Sequence, residues 1–506
     1  MDIQVTHSAE GAAGEPTFPM IRFDTGRVVY QEALVNGQYV VANVSAMGRP
    51  KPRDWVWESL AGGAFSVRPL RRRQHAFQIQ IDGQLLIDRW AWAGDRLVEA
   101  TRPGCSAAVV ELQHTLRPIR VQVHTQLDDT PFLVRWLVIT NTGDRPAAVA
   151  EVFPWSGQVW EVLERCSTGI QTAIPPEGFF SLGRFTETAL GSEGAFSWQP
   201  LPGGLYGFES LHGRSGWGLP FFIVRNEATG ELLAGHLAWS GNWRVEFFND
   251  HEAERPPTSE IRLYARVGLA GPPPLRILDP GESVRTPAVH LGFLFGDLDA
   301  CVQALHTHER RSVILAQPAG REHLVEVNHC GYTRGRQITQ AQVYEYIDVA
   351  ADVGAELFML DAGWFGEASQ DWFQAVGDYG HECPSIPGGV NAIFDHARAR
   401  GLLCGLWVEA ERMGAVSQLL RDHPDWQMER RGEEIANLDL SRPEIAQHVE
   451  DTIVALIEKY RLDCFRLDYN VSIGEGGEAV RGGYAENVLW RYYEALYRIF
   501  DRVHER

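Results

Sequence analysis

Four short apolar runs in the last third of the chain each end on polar or acidic residues, and a helical pattern follows each one. They are Val325-Glu326-Val327-Asn328, Leu357-Phe358-Met359-Leu360-Asp361, Leu403-Cys404-Gly405-Leu406-Trp407-Val408-Glu409 and Cys464-Phe465-Arg466-Leu467-Asp468. Runs this short and this apolar suit buried parallel strands, and polar groups at their C-terminal ends are where a (β/α) barrel presents its chemistry. The intervening helices carry their own start and stop signals. Thr339 is placed to cap a helix bearing Val343, Ile347, Ala350 and Ala351, which Gly354 closes. Ser441-Arg442-Pro443-Glu444 reads as a capping box ahead of Ile445, Val449, Ile453 and Leu456, and Val488, Tyr492, Leu496, Ile499 and Phe500 mark a last helix.

Counting gives four strand–helix units, where a closed barrel requires eight. An open four-stranded parallel sheet leaves edges that natural proteins cover. The expectation is therefore a (β/α)8-type barrel of which about the first four units are present, within an incomplete version of a longer protein.

Up to about residue 296 the pattern is different. Phe77-Gln78-Ile79-Gln80-Ile81 alternates apolar with polar, Asp82-Gly83 makes a hairpin turn, and Ile119-Arg120-Val121-Gln122-Val123-His124 repeats the alternation. Short strands between Gly, Pro and Asn turns predict a large antiparallel β-sandwich. The fold class expected is multidomain, β plus α/β: a sandwich over 1–296, a helical linker over 297–322, and the N-terminal half of a TIM-type barrel over 323–506. Eleven of the 16 Trp residues fall in the sandwich region, so most are read as packing residues. The Asp54-Trp55-Val56-Trp57 stretch is the best candidate there for a sugar-stacking surface.

A formal charge of −20 argues against nucleic acid or an anionic membrane as partner, since both require clustered Lys and Arg. The seven Cys residues are scattered without a CxxC pair, which fits reduced thiols and a cytoplasmic location. The first residues lack a basic segment followed by an apolar core, and no apolar stretch reaches the roughly 18–20 residues of a membrane helix. No Gly-rich phosphate loop follows a strand, so no nucleotide cofactor is expected. His329 and Cys330 have no second His or Cys at ligand spacing, so no metal is expected either.

Asp361, Glu409, Glu411 and Asp468 all lie at or just beyond strand ends. Any one alone has an ordinary reading as a helix cap or loop carboxylate. Four at equivalent positions point instead to a shared pocket, and glycosidic cleavage with retention uses two carboxyl groups about 5–5.5 Å apart. Trp407 and Trp364 are candidates to line such a pocket, and Tyr469 and Asn470 either bond a hydroxyl or shape the strand exit.

Read together, these motifs resemble the α-galactosidases of glycoside hydrolase family 36. Leu360-Asp361-Ala362-Gly363-Trp364-Phe365-Gly366 is similar to that family's LDDGWFG, and Gly377-Asp378-Tyr379 with Pro387-Gly388-Gly389-Val390 to its GDW…FPxGL. Gly405 to Met413, with Ser417 and His423-Pro424-Asp425-Trp426, resembles GLWFEPEMV…S…HPDW. Arg466-Leu467-Asp468-Tyr469-Asn470 falls where the family has KWDMN. In the sandwich region, Ser240-Gly241-Asn242-Trp243, Pro280-Gly281-Glu282 and Thr286-Pro287 resemble family signatures.

The resemblance implies a retaining α-galactosidase with Asp468 as nucleophile. It implies substrate contacts from Asp361, Trp364, Trp407, Glu409, Arg466 and Asn470, and an acid/base Asp beyond residue 506, so that the chain alone is expected to be inactive. The implied partners are an oligosaccharide or glycoside substrate and, in the complete protein, further copies in a homo-oligomer. The alternatives are an α-N-acetylgalactosaminidase, a galactosyl-transferring relative, or a catalytically silent carbohydrate-binding protein. Ala362 replaces the second Asp of the family's pair and Arg466 replaces its Lys, changes that bear on which sugar is bound.

Overall fold

The period-two patterning of the N-terminal region is realised as antiparallel sheet in a computed structural model of the chain. It describes residues 1–7, 18–46, 75–100, 102–165, 178–186, 194–214, 218–252, 258–315, 317, 321, 324–329, 332–333, 336–337, 339–367, 371–468 and 472–505. The Asp54-Trp55-Val56-Trp57 stretch, Cys330, Tyr469 and Asn470 lie outside these residues. The chain divides into two compact units, residues 1–315 with 480–487 and residues 316–479 with 488–506.

The first unit is the sandwich. Among the described residues its largest sheet has ten strands, and three four-stranded sheets accompany it. The expected hairpin joins Gln78–Ile81 to Gln84–Leu85, with Asp82 and Gly83 both at positive φ (50° and 76°), as a tight turn between twisted strands needs. Gly268 is required for a different reason. A Cβ there would stand 2.2 Å from the carbonyl oxygen of Val152, so two strands pack backbone to backbone at that point. The core holds a buried polar group as well as aromatics. Glu32 and Arg135 pair at 0% exposure, and the hydroxyls of Tyr30 and Tyr39 donate to the two Glu32 oxygens at 2.6 and 2.7 Å. The Trp155 indole in turn donates to the Tyr30 hydroxyl at 3.1 Å.

The helix expected near residue 300 runs Leu298–Ser312, with Asp297 accepting from the Ala300 N–H at 2.9 Å as its cap. It belongs to the first unit by its packing. His308 is buried against Phe132 (ring centroids 4.7 Å apart) between Asp128 (Nδ1 to Oδ2, 2.6 Å) and His290 (Nε2 to Nδ1, 2.7 Å). Ser312 donates to the same Asp128 oxygen at 2.7 Å, so the helix is fastened along its last turns by charge-assisted bonds.

The second unit contains the four expected strands, Glu326–His329, Leu357–Leu360, Leu403–Val408 and Cys464–Leu467. They pair in that order, all parallel. Helices Gln340–Asp352, Gly389–Ala399, Pro443–Tyr460 and Leu489–His504 follow them in turn. Thr339 and Gln342 form the full capping box of the first helix, and Gly354 follows its end at φ 87°.

The start read at Ser441 is one residue early. The cap position is Arg442 and Pro443 is the first helical residue, with no side-chain cap bond. Proline lacks the N–H that a first-turn residue would leave unsatisfied, and its fixed φ suits that position, so it sets where the helix begins. Among the described residues no helix is long and apolar enough to cross a membrane.

Candidate active site

Parallel register decides which side chains share a face. Glu326 stands beside Leu357 and Leu403; Asn328 beside Met359, Gly405 and Cys464; Trp407 beside Arg466. The ladder continues past the strand ends, since the Asp361 N–H donates to the His329 carbonyl at 2.9 Å and the Asp468 N–H to the Val408 carbonyl at 3.1 Å. Side chains alternate along a strand. Asp361, Trp407 and Arg466 therefore occupy one layer, and Glu409 and Asp468 the next layer out, on the same face.

Side-chain bonds tie this face together. The Trp407 indole N–H donates to Asp468 Oδ2 at 2.8 Å. Asn328 Nδ2 donates to Asp361 Oδ2 at 2.7 Å, and the Ala362 N–H to Asp361 Oδ1 at 2.6 Å. Arg466 Nη2 pairs with Glu326 Oε1. Asp361, Arg466 and Asp468 are half-buried.

The indoles are placed differently. Trp364 and Trp407 are 0% and 1% exposed. Trp364 donates to the Trp407 carbonyl at 3.0 Å and stacks on Tyr379, which places it behind the third strand. Trp407 lies parallel to Phe365 (3° between rings) and edge-on to Trp372 at 5.2 Å. Its polar edge, the N–H on Asp468, is what it brings to the face. Trp372, half-buried and not singled out in the sequence, is the aromatic beside it with surface to offer.

Past the third strand the chain turns through Glu409, Glu411 and Arg412. Gly414 allows this turn, because a Cβ there would meet the Gln374 carbonyl oxygen at 2.1 Å. The Tyr379 hydroxyl donates to the Glu409 carbonyl at 2.5 Å, and Arg412 lies 3.4 Å over the Phe373 ring. Glu409 and Glu411 are both buried. The Tyr492 hydroxyl, from the last helix, donates to Glu411 Oε1.

Burial pushes the Glu411 carboxyl up to about 7, partly offset by that hydroxyl and reinforced by the charge of Glu409. The folded form thus keeps a proton that the unfolded chain releases near 4.5, and stability falls as pH rises between these values. Glu411→Gln has no proton to lose. It is expected to match the parent below about pH 4.5 and to exceed it by on the order of 3 kcal/mol above pH 7. Urea unfolding midpoints between pH 4 and 8 measure this, and a pH-independent difference would refute it.

Comparison with known proteins follows the same lines. Residues 283–506 match the family model described as Melibiase. Alpha-galactosidase AgaA of Geobacillus stearothermophilus is 27% identical over 330 residues, covering 63% of this chain and 44% of that protein. Alpha-galactosidase 1 of Pediococcus pentosaceus is 26% identical over 312 residues, covering 59% and 41%. The matched stretch thus spans less than half the length of these relatives.

Among solved structures, the family 36 α-galactosidase AgaB of Geobacillus stearothermophilus is similar with a TM-score of 0.78 at 20% identity, over 99% of this chain and 71% of that one. AgaA from the same organism, in complex with raffinose, gives 0.77 at 21% identity over 96% and 71%. At such identities the likeness speaks for the fold. Residues 283–506 thus match the melibiase family model, and over the partial length it spans the chain is similar to the α-galactosidases of glycoside hydrolase family 36.

Proposed function

We propose that residues 1–506 carry the sandwich and the nucleophile-bearing half of the barrel of a retaining α-galactosidase that acts on terminal α-galactosides. Asp468 attacks the anomeric carbon and the glycosidic C–O bond breaks, giving a covalent galactosyl-enzyme. A carboxylic acid that is not among residues 1–506 protonates the leaving oxygen. Water then displaces Asp468 from the same carbon, so two inversions restore the configuration. Asp361 and Arg466 bond ring hydroxyls, a role the family resemblance also gives to Asn470. Trp407 acts through its N–H, and Glu409 shapes the outer layer.

The observation that supports this most is the Trp407 N–H bond to Asp468, on the same sheet face as Asp361 and Arg466. That N–H holds one carboxylate oxygen in place. Raffinose and stachyose in crystals of AgaA support an oligosaccharide as the substrate class. Buried, free Cys301, Cys383 and Cys404 support a reducing compartment such as the cytoplasm.

Calorimetry with raffinose, alongside hydrolysis of an aryl α-galactoside, tests the reading. Residues 1–506 are expected to bind raffinose and to turn over the aryl galactoside about 10²–10⁴-fold more slowly than an intact family member, the usual cost of a missing general acid. Absence of any galactoside binding would overturn the assignment. Turnover at full rate would overturn the placing of the acid.

A further inference from the structure

Three half-buried groups on the barrel face are each held by a second residue from another strand: Asp361 by Asn328, Asp468 by Trp407 and Arg466 by Glu326. The last pair spans the greatest distance. Glu326 lies in the lowest layer of the first strand and Arg466 two layers higher on the fourth, with two strands between them. In a flat sheet the outer strands would stand roughly 14 Å apart. The pair forms because the sheet curls toward this face and because its middle is low. Gly405 has no side chain, and Met359 lies over it, with its Cε only 2.5 Å from where a Cβ would be. Cys464 stands beside Gly405 in the layer between the two. Burial raises its pKa, with the Glu326 charge adding to the effect and the Arg466 charge opposing it.

Arg466 Nη2 is engaged by Glu326, and among the described residues the other guanidinium nitrogens have no protein partner. A planar fork held at one corner offers its remaining N–H groups in a fixed direction, which matches two adjacent oxygens better than a freely rotating chain would. We infer that Glu326 is a positioning residue for sugar recognition: by holding Arg466 across the sheet face, it aims the guanidinium at a vicinal pair of ring hydroxyls. This rests on the galactoside-binding reading above and adds to it the residue that orients the hydroxyl contact. Without Glu326 the guanidinium would swing toward solvent or toward Asp361 and Asp468, and the affinity gained from preorganisation would be lost.

Calorimetric titration of residues 1–506 with galactose and with the 2-, 3- and 4-deoxygalactoses tests this, in the parent and in Glu326→Gln and Glu326→Asp. Glu326→Gln is expected to bind galactose about tenfold more weakly. In the parent one deoxygalactose should bind about tenfold more weakly than galactose, and in Glu326→Gln that difference should shrink to about twofold, as expected of coupled partners. Glu326→Asp, which keeps the charge, should recover most of the affinity. Thermal unfolding is followed in parallel, and because Glu326 is half-buried its midpoint should hardly move. Equal weakening of every sugar, or galactose affinity unchanged in Glu326→Gln, would overturn the role of Glu326 while leaving the functional reading standing. A parent that binds none of the sugars would overturn both.

Discussion

Replacing Asp468 with Asn is expected to abolish covalent labelling of the chain by an activated fluoro-galactosyl fluoride. Fluoride leaves without a proton, so this reagent needs the nucleophile but not the general acid, and residues 1–506 suffice for the test. The parent should gain one galactosyl ester, located at Asp468 by mass spectrometry of its peptides. Asn is nearly isosteric and keeps an oxygen to accept from the Trp407 N–H, so the pocket should survive the change. What it loses is the anionic nucleophile, and an enzyme deprived of its nucleophile commonly loses about 10⁴-fold or more in rate. Asp468→Ala also removes the acceptor. It should add a stability loss of about 1–3 kcal/mol, because the buried indole N–H is left without its partner. Labelling that persists in Asp468→Asn, or that maps to Asp361, would refute the assignment.

The largest expected stability effect belongs to the first unit. Glu32→Ala would leave the fully buried Arg135 guanidinium facing a hole and remove the acceptor of both Tyr30 and Tyr39. Burial draws Arg135 down to about 10. Removing one partner of a buried pair costs about 3–5 kcal/mol, mostly from the uncompensated charge that remains. For a unit of this size that is a fall of roughly 5 °C in Tm. Replacing both partners, Glu32→Leu with Arg135→Met, should cost much less, since no charge is left behind. A single Glu32→Ala variant within about 1 kcal/mol of the parent would show that the pair is not the anchor its burial indicates.

The strand ends could be read because the relevant geometry is local. Residues two apart on a strand share a face, so Trp407 with Glu409, and Arg466 with Asp468, belong together once the runs are taken as strands. The Thr339 cap and the Asp82-Gly83 turn are legible for the same reason, each being a bond or a dihedral confined to a few residues. The Ser441 cap was misread because two local signals competed and the backbone constraint of Pro443 won.

Other features depend on distant chain segments and carry no local signal. Glu326 gives no hint in sequence of a partner 140 residues away. Likewise, nothing around residue 300 announces that His308 will be clamped between Asp128 and His290.

What the residues determined by themselves was the alternation of strand and helix and the set of polar groups delivered to one edge of a parallel sheet, because pleat and helical period are properties of the nearest neighbours. What the tertiary structure alone decided was the fate of each group: Asp361 and Asp468 half-buried, Glu411 buried under Tyr492 and the Trp407 N–H turned onto Asp468. Solvation and charge depend on what strand order and the final helix bring alongside, and those neighbours are assembled only when the whole sheet closes over its core.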